Sequence, residues 1–115
     1  MTPFLAAYIE AALWSSNDPD TGESLDQMGV ELAPETRAMM EKDCEEFISE
    51  AGHLIPAHQA DQAGHDFWLT RNGHGCGFWD GDWGDELGEA LTQVCEGYGE
   101  VDLYVYDGQI HAGNC

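Results

Sequence analysis

The first apolar pattern of the chain lies between Pro3 and Trp14, where Phe4, Leu5, Tyr8, Ile9, Ala12 and Leu13 recur at i, i+1, i+4, i+5, i+8 and i+9, the spacing of one helical face. Thr2 supplies an N-cap and Pro3 a proline at the first helical position. The other positions are mostly Ala with Glu10 as the lone charge, so this helix is expected to be buried on more than one side. Ser15 to Leu32 carries Asn-Asp-Pro-Asp and Thr-Gly turn signals without helical period. It is long for a structureless connection and reads as a mobile or functional loop. A second helix opens with Pro34 at N1 and Glu35 in its first turn, buries a stripe of Met40, Cys44, Phe47, Ile48 and Ala51, and stops at Gly52.

His53 to Gly64 reads as a loop with one short turn of helix. His65–Arg71 and His74–Asp80 flank Asn72-Gly73, a dipeptide that favours a type I′ hairpin, so two strands are expected there. A two-residue loop pairs Arg71/His74, Leu69/Cys76, Phe67/Phe78 and His65/Asp80 on one face and Thr70/Gly75, Trp68/Gly77 and Asp66/Trp79 on the other; the glycines at 73, 75 and 77 also permit a wider loop. A third helix is expected from Trp83 to Tyr98, with Asp82 as N-cap, Asp85 and Glu86 in the first turn and an apolar stripe of Leu87, Ala90, Leu91, Val94 and Tyr98. Val101–Tyr106 then alternates with period two, and Asp107-Gly108 turns it into Gln109-Ile110-His111 as a second hairpin.

This order predicts an α+β fold, one domain over residues 1–115, with three helices packed on one face of a small antiparallel sheet made of two hairpins. The helices would cover Phe67, Leu69, Phe78, Val101, Leu103, Val105 and Ile110. The open face would present Trp68, Trp79, Tyr104 and Tyr106, either as interface anchors or, for the tryptophans, as core beneath folded loops.

Composition supports a folded chain: 115 residues, 43% hydrophobic and 10% aromatic, fit a single core. Charge narrows the function. Against 23 Asp and Glu stand only three cations, Arg37, Lys42 and Arg71, for a formal net charge of -20. Direct binding to nucleic acid or anionic membrane is therefore not expected, since both need Lys and Arg to meet phosphates. The apolar N-terminal run has no cation before it and contains Glu10, unlike a signal peptide, and no stretch approaches the roughly 18 apolar residues of a membrane span. Cys44, Cys76, Cys95 and Cys115 show neither a CxxC pair nor a disulfide-dense spacing, which reads as free thiols in a reducing cytoplasm.

The polar face of the second helix carries Glu41, Asp43, Glu45, Glu46 and Glu50 around Lys42. Glu41/Glu45 and Glu46/Glu50 are like-charge i,i+4 pairs, each costing about a few tenths of a kcal/mol. That tolerated repulsion fits either a solvated face that resists aggregation or a face kept for a basic partner protein. Carboxylates at i and i+4 are separated by about 6 Å of rise, so such rows could imitate a phosphate row and engage a nucleic-acid-binding protein. One contiguous stripe of acids would favour mimicry, whereas an even cover would favour solubility or adaptation to high salt. The expected partner-binding residues are Glu41, Glu45, Glu46 and Glu50, with Trp68 and Trp79 as anchors; no enzymatic activity and no cofactor are expected.

Another reading is a metal-supported enzyme or sensor at His65, His74 and Cys76 near Asp80, residues of zinc-ligating type. Leu69 and the Phe67/Phe78 pair would lie between the two ends of that set and hold them apart. A pair of Cys76 with His74 or His65 could activate a thiol, but no oxyanion hole at a helix start accompanies it, and no orienting group other than Asp66 or Asp80. The acids from Asp18 or from Asp80 fail the calcium-loop pattern because Gly22 or Gly84 falls at its fifth position. The glycines at 73, 75 and 77 run into Phe78-Trp79-Asp80 without a Lys, unlike a phosphate loop.

The run Ala63-Gly64-His65-Asp66-Phe67-Trp68-Leu69-Thr70-Arg71-Asn72-Gly73-His74-Gly75-Cys76-Gly77-Phe78-Trp79-Asp80 resembles a family of small proteins encoded by tailed bacteriophages. Phe4-Leu5 to Leu13-Trp14-Ser15-Ser16 and Gly99-Glu100-Val101-Asp102-Leu103-Tyr104 are similar to the same family, so the likeness spans most of the chain. It implies a phage product acting in the bacterial host cytoplasm and carries over no catalytic residues. The position of Cys76 is small and apolar in that family, which argues against a role for its thiol. By analogy, small acidic phage proteins often inhibit host defence or DNA-handling proteins; a structural phage component is the other role the resemblance leaves open.

Overall fold

Pro3 opens helix α1 (Pro3–Ser15), and the Thr2 hydroxyl caps it by accepting from the Leu5 amide at 3.2 Å. The structure, a computed structural model, describes residues 2–18, 21–72, 78 and 83–114. After α1 the chain pairs Asn17 with Ser24 in an isolated bridge, makes a 3-10 turn at Leu25–Gln27 and enters strand β1 (Glu31–Leu32). The expected loop is thus tied down at both ends, with Leu25 1% exposed. Helix α2 (Pro34–Ala51) follows the sequence pattern from its N1 proline to Gly52, burying Thr36, Met40, Cys44, Phe47 and Ala51. Ile48, expected in that stripe, is instead 41% exposed at its margin.

The largest correction concerns the region expected to form the first hairpin. Two 3-10 turns, Gly52–Leu54 and Ala57–Gln59, lead into helix α3 (Ala60–Arg71), so His65 to Arg71 is helical. This helix buries Ala63, Gly64, Asp66, Phe67, Trp68, Leu69 and Arg71. Ala60, Ala63, Gly64, Phe67 and Trp68 keep helical spacing, but Asp66 and Leu69 are buried outside that stripe and blur it, and the Asn72-Gly73 signal outweighs it. Asn72 acts as the stop: its amide donates to the Trp68 carbonyl at 2.9 Å, and its side-chain oxygen accepts from the Val101 amide at 2.8 Å. The expected partner strand, 74–80, lies outside the described residues except for Phe78, which is buried.

Helix α4 (Asp85–Cys95) is shorter than expected and has Gly84 at its N-cap, with Asp85 and Glu86 in the first turn; the expected cap, Asp82, lies outside the described residues. The second hairpin is as expected. Strand β2 (Val101–Tyr106) turns through Asp107 (φ 53°) and Gly108 (φ 74°) into β3 (Gln109–Asn114), the left-handed pair of a type I′ turn. β3 is central: it pairs antiparallel with β2 and parallel with β1, giving the order β1-β3-β2. The fold is α+β, but among the described residues it has four helices and a mixed three-stranded sheet.

Val101, Leu103 and Ile110 face the helices, whereas Tyr104 and Tyr106 face outward at 44% and 68% exposure. The core is aromatic: Phe47 stacks on Phe67 with centroids 4.2 Å apart, Phe4 stacks on Phe47 at 5.7 Å, and Tyr8 meets the edge of Trp68 at 5.4 Å. α1 and α3 cross so closely at Gly64 that a Cβ there would overlap the Phe4 carbonyl oxygen. No helix among the described residues is long and apolar enough to cross a membrane.

Candidate functional site

The four glutamates expected to meet a partner sit on α2, whose apolar stripe binds the helix to the core and turns the remaining positions outward. At about 100° per residue, Glu41 and Glu45 run along one flank of α2 and Glu46 and Glu50 along the other, about 140° away. They form two rows rather than one, with Lys42 and Ser49 between them. Arg37 Nε lies 3.2 Å from Glu41 Oε1, and Lys42 Nζ lies 3.9 Å from Glu46 Oε1, both i,i+4 pairs in solvent. Pairs of this kind are worth about 0–1 kcal/mol. Glu45 and Glu50 are exposed and form no ion pair among the described residues.

The third cation, expected on a hairpin, is buried at the end of α3. Arg71 donates to Asp43 Oδ2 at 2.7 Å, to the Tyr8 hydroxyl at 3.1 Å and, through Nε, to the Gly99 carbonyl at 2.9 Å. Its guanidinium also lies 5.6 Å from the Phe67 ring centroid and 5.4 Å from that of Tyr98. Burial raises the Tyr8 hydroxyl pKa, against the lowering effect of Arg71. The node ties α1, α2, α3 and the segment after α4 together. It also leaves Arg37 and Lys42 as the chain's remaining Lys and Arg residues at the surface. Exposed carboxylates, in contrast, occur on every helix and on the strands: Glu10, Glu31, Asp61, Asp85, Glu86, Glu89, Asp102 and Asp107 are among them. The acids therefore cover the molecule instead of forming one stripe.

A distinct feature marks one flank. Between the first turn of α1 and the middle of α2 runs a groove of about 680 Å³ lined by Thr2, Phe4, Leu5, Glu41, Cys44, Glu45, Ile48 and Ser49. Its volume lies within the roughly 300–1,000 Å³ of ligand pockets. Phe4, Leu5, Cys44 and Ile48 give it an apolar floor, and Glu41 and Glu45 stand on its rim. Burial, reinforced by the charge of Asp43, pushes the Cys44 thiol up to about 12, so this thiol is a packing group at neutral pH and not a nucleophile. Burial does the same to Cys95.

Of the other expected residues, Trp68 and His65 are described. Trp68 is 1% exposed and donates its indole N–H to Ser15 Oγ at 2.8 Å, so it is core and not an interface anchor. Trp79, His74 and Cys76 lie outside the described residues. His65 is on α3, stacked on Trp14 at 5.7 Å and 3.2 Å from Asp66 Oδ1. Asp66 is itself buried, accepting from the Trp83 indole at 2.7 Å and from Gln62 at 3.1 Å. Among the described residues no group of three His, Cys, Asp or Glu side chains could hold a metal ion. Sequence reasoning missed the groove because Phe4 and Leu5 are far from Ile48 along the chain; the available signal was Ile48 itself, beside Glu45 and Ser49 at the edge of the stripe. Compared with protein-family models, curated proteins and solved structures, the chain matches none.

Proposed function

We propose that this is a non-enzymatic binding protein that captures a basic protein on the carboxylate-bearing surface of α2, the Glu41/Glu45 flank making the docking contact and Glu46 and Glu50 adding to the attraction. The observation that carries this reading is the groove beneath Glu41 and Glu45. Acids spread over a whole molecule serve solubility and long-range steering alike, but at this groove an apolar floor with an exposed isoleucine meets an acidic rim. Steering by the net charge of -20 brings a cationic partner in, and the groove gives it a place to dock. Because the four glutamates form two rows, the surface is read as a docking face and not as a copy of a single phosphate row. Nucleic-acid-binding proteins remain the most abundant basic surfaces for such a face to meet. The resemblance of the 63–80 run to tailed-phage proteins supports a partner met in the bacterial host cytoplasm, a host or a phage protein.

The test is affinity capture from bacterial lysate, with nuclease, at about 0.1 M and 1 M salt, where Debye lengths are about 10 and 3 Å. Wild type should retain a basic protein at the lower salt and release it at the higher, and Glu45→Lys should fail to retain it even at the lower. Retention by Glu45→Lys equal to that of wild type would refute the assignment of the face.

A further inference from the structure

We infer that the α1/α2 groove recognises a basic amphipathic helix, its apolar side chains entering the groove and its cations pairing with Glu41 and Glu45. This rests on the preceding reading and specifies the conformation and pattern of the ligand. Three features of the groove support it. Glu41, Cys44, Glu45 and Ile48 occupy two consecutive turns of α2, a span of about 10 Å, which is the distance between i and i+7 anchors on an incoming helix. Glu41 and Glu45 are about 6 Å apart in rise, the same separation as lysines at i and i+4 of that helix. Finally, the acidic rim lies beside the apolar floor, not opposite it: Phe4, Leu5 and Ile48 adjoin Glu45 in one groove. A helix presents cations next to its apolar stripe, whereas a strand sends alternate side chains to opposite faces. Glu45 forms no ion pair among the described residues, and Arg37, which now meets Glu41, is held only by a solvent-screened pair.

A second copy of this chain is disfavoured as occupant, because each copy brings a net charge of -20 and like charges facing each other oppose association. The charge complementarity points to a cationic helix.

The experiment uses the full chain and three labelled peptides of about 14 residues, four helical turns, read by fluorescence anisotropy at about 0.1 M salt. The first has Leu at helical spacing and Lys elsewhere, the second the same composition alternating with period two, and the third Gln in place of Leu. The helical peptide should bind at least about tenfold more tightly than the other two, the gain expected from burying one or two leucines. Ile48→Asp, at an exposed position, should remove that advantage, while Glu46→Lys/Glu50→Lys on the far flank should weaken all three peptides alike. Equal binding of the three to wild type would overturn the helix proposal and leave the acidic docking face standing. Failure of all three to bind would overturn both. An advantage that survives Ile48→Asp would place the apolar contact elsewhere and refute the groove.

Discussion

Arg71 shows how one residue sets the charge character of the surface. Its guanidinium is enclosed by Asp43, Tyr8, the Gly99 carbonyl and two aromatic rings, so the chain gives up one of its three cations to the interior. Removing one partner of a buried pair costs more than the pair contributes, because the remaining charge stays desolvated. Asp43→Asn should therefore lower unfolding stability by about 2–4 kcal/mol, somewhat below the fully buried range because the Asp43 side chain is 18% exposed. Urea titration at neutral pH measures this, and an unchanged midpoint would remove the node from the account of stability. None of this node was legible in the sequence, since its hydrogen bonds join residues 28 and 63 positions apart. Glu41, Glu45, Glu46 and Glu50 were legible as exposed acids because helical spacing alone puts them off the stripe. Trp68 was legible only as one of two alternatives, interface anchor or core; its burial and the bond from its indole to Ser15 decide for core.

At the scale of elements, legibility follows how local the determinants are. α1 and α2 announce themselves through Thr2-Pro3 and Pro34, and β2–β3 through the Asp107-Gly108 turn, all signals held within a few residues. α3 is different. Ala60, Ala63, Gly64, Phe67 and Trp68 do recur at helical spacing, but Asp66 and Leu69 are buried off that stripe, and the run of large apolar residues before Asn72-Gly73 reads equally as a strand. Asn72-Gly73 resembles a hairpin turn, yet Asn72 ends a helix and clamps Val101. The crossing of α1 with α3 also sets the groove, because it fixes where Phe4 and Leu5 stand against α2. Gly64→Ala would drive a Cβ into the Phe4 backbone and should destabilise the protein by about 1–3 kcal/mol or more, in the range of overpacked cores. Thermal unfolding reads this out; a fully stable Gly64→Ala protein would contradict the close crossing.

At the scale of the whole molecule, charge and shape act at different ranges. A net charge of -20 acts beyond contact and draws cationic partners to every face, with a reach set by the Debye length of about 10 Å at 0.1 M salt. The groove acts only at contact and belongs to one face. The balance between them decides whether the protein binds one partner in one pose or any cation anywhere. The measurement that separates these most directly is an amide-resolved NMR titration of the full chain with the helical Leu/Lys peptide at about 0.15 M salt, where the Debye length is about 8 Å. Docking on α2 predicts shifts concentrated in Thr2 to Leu5 and Glu41 to Ser49, saturating at one peptide per chain. Comparable shifts at Asp85, Glu86, Asp102 and Asp107, with no saturation, would contradict the account and leave the acidic surface a matter of solubility.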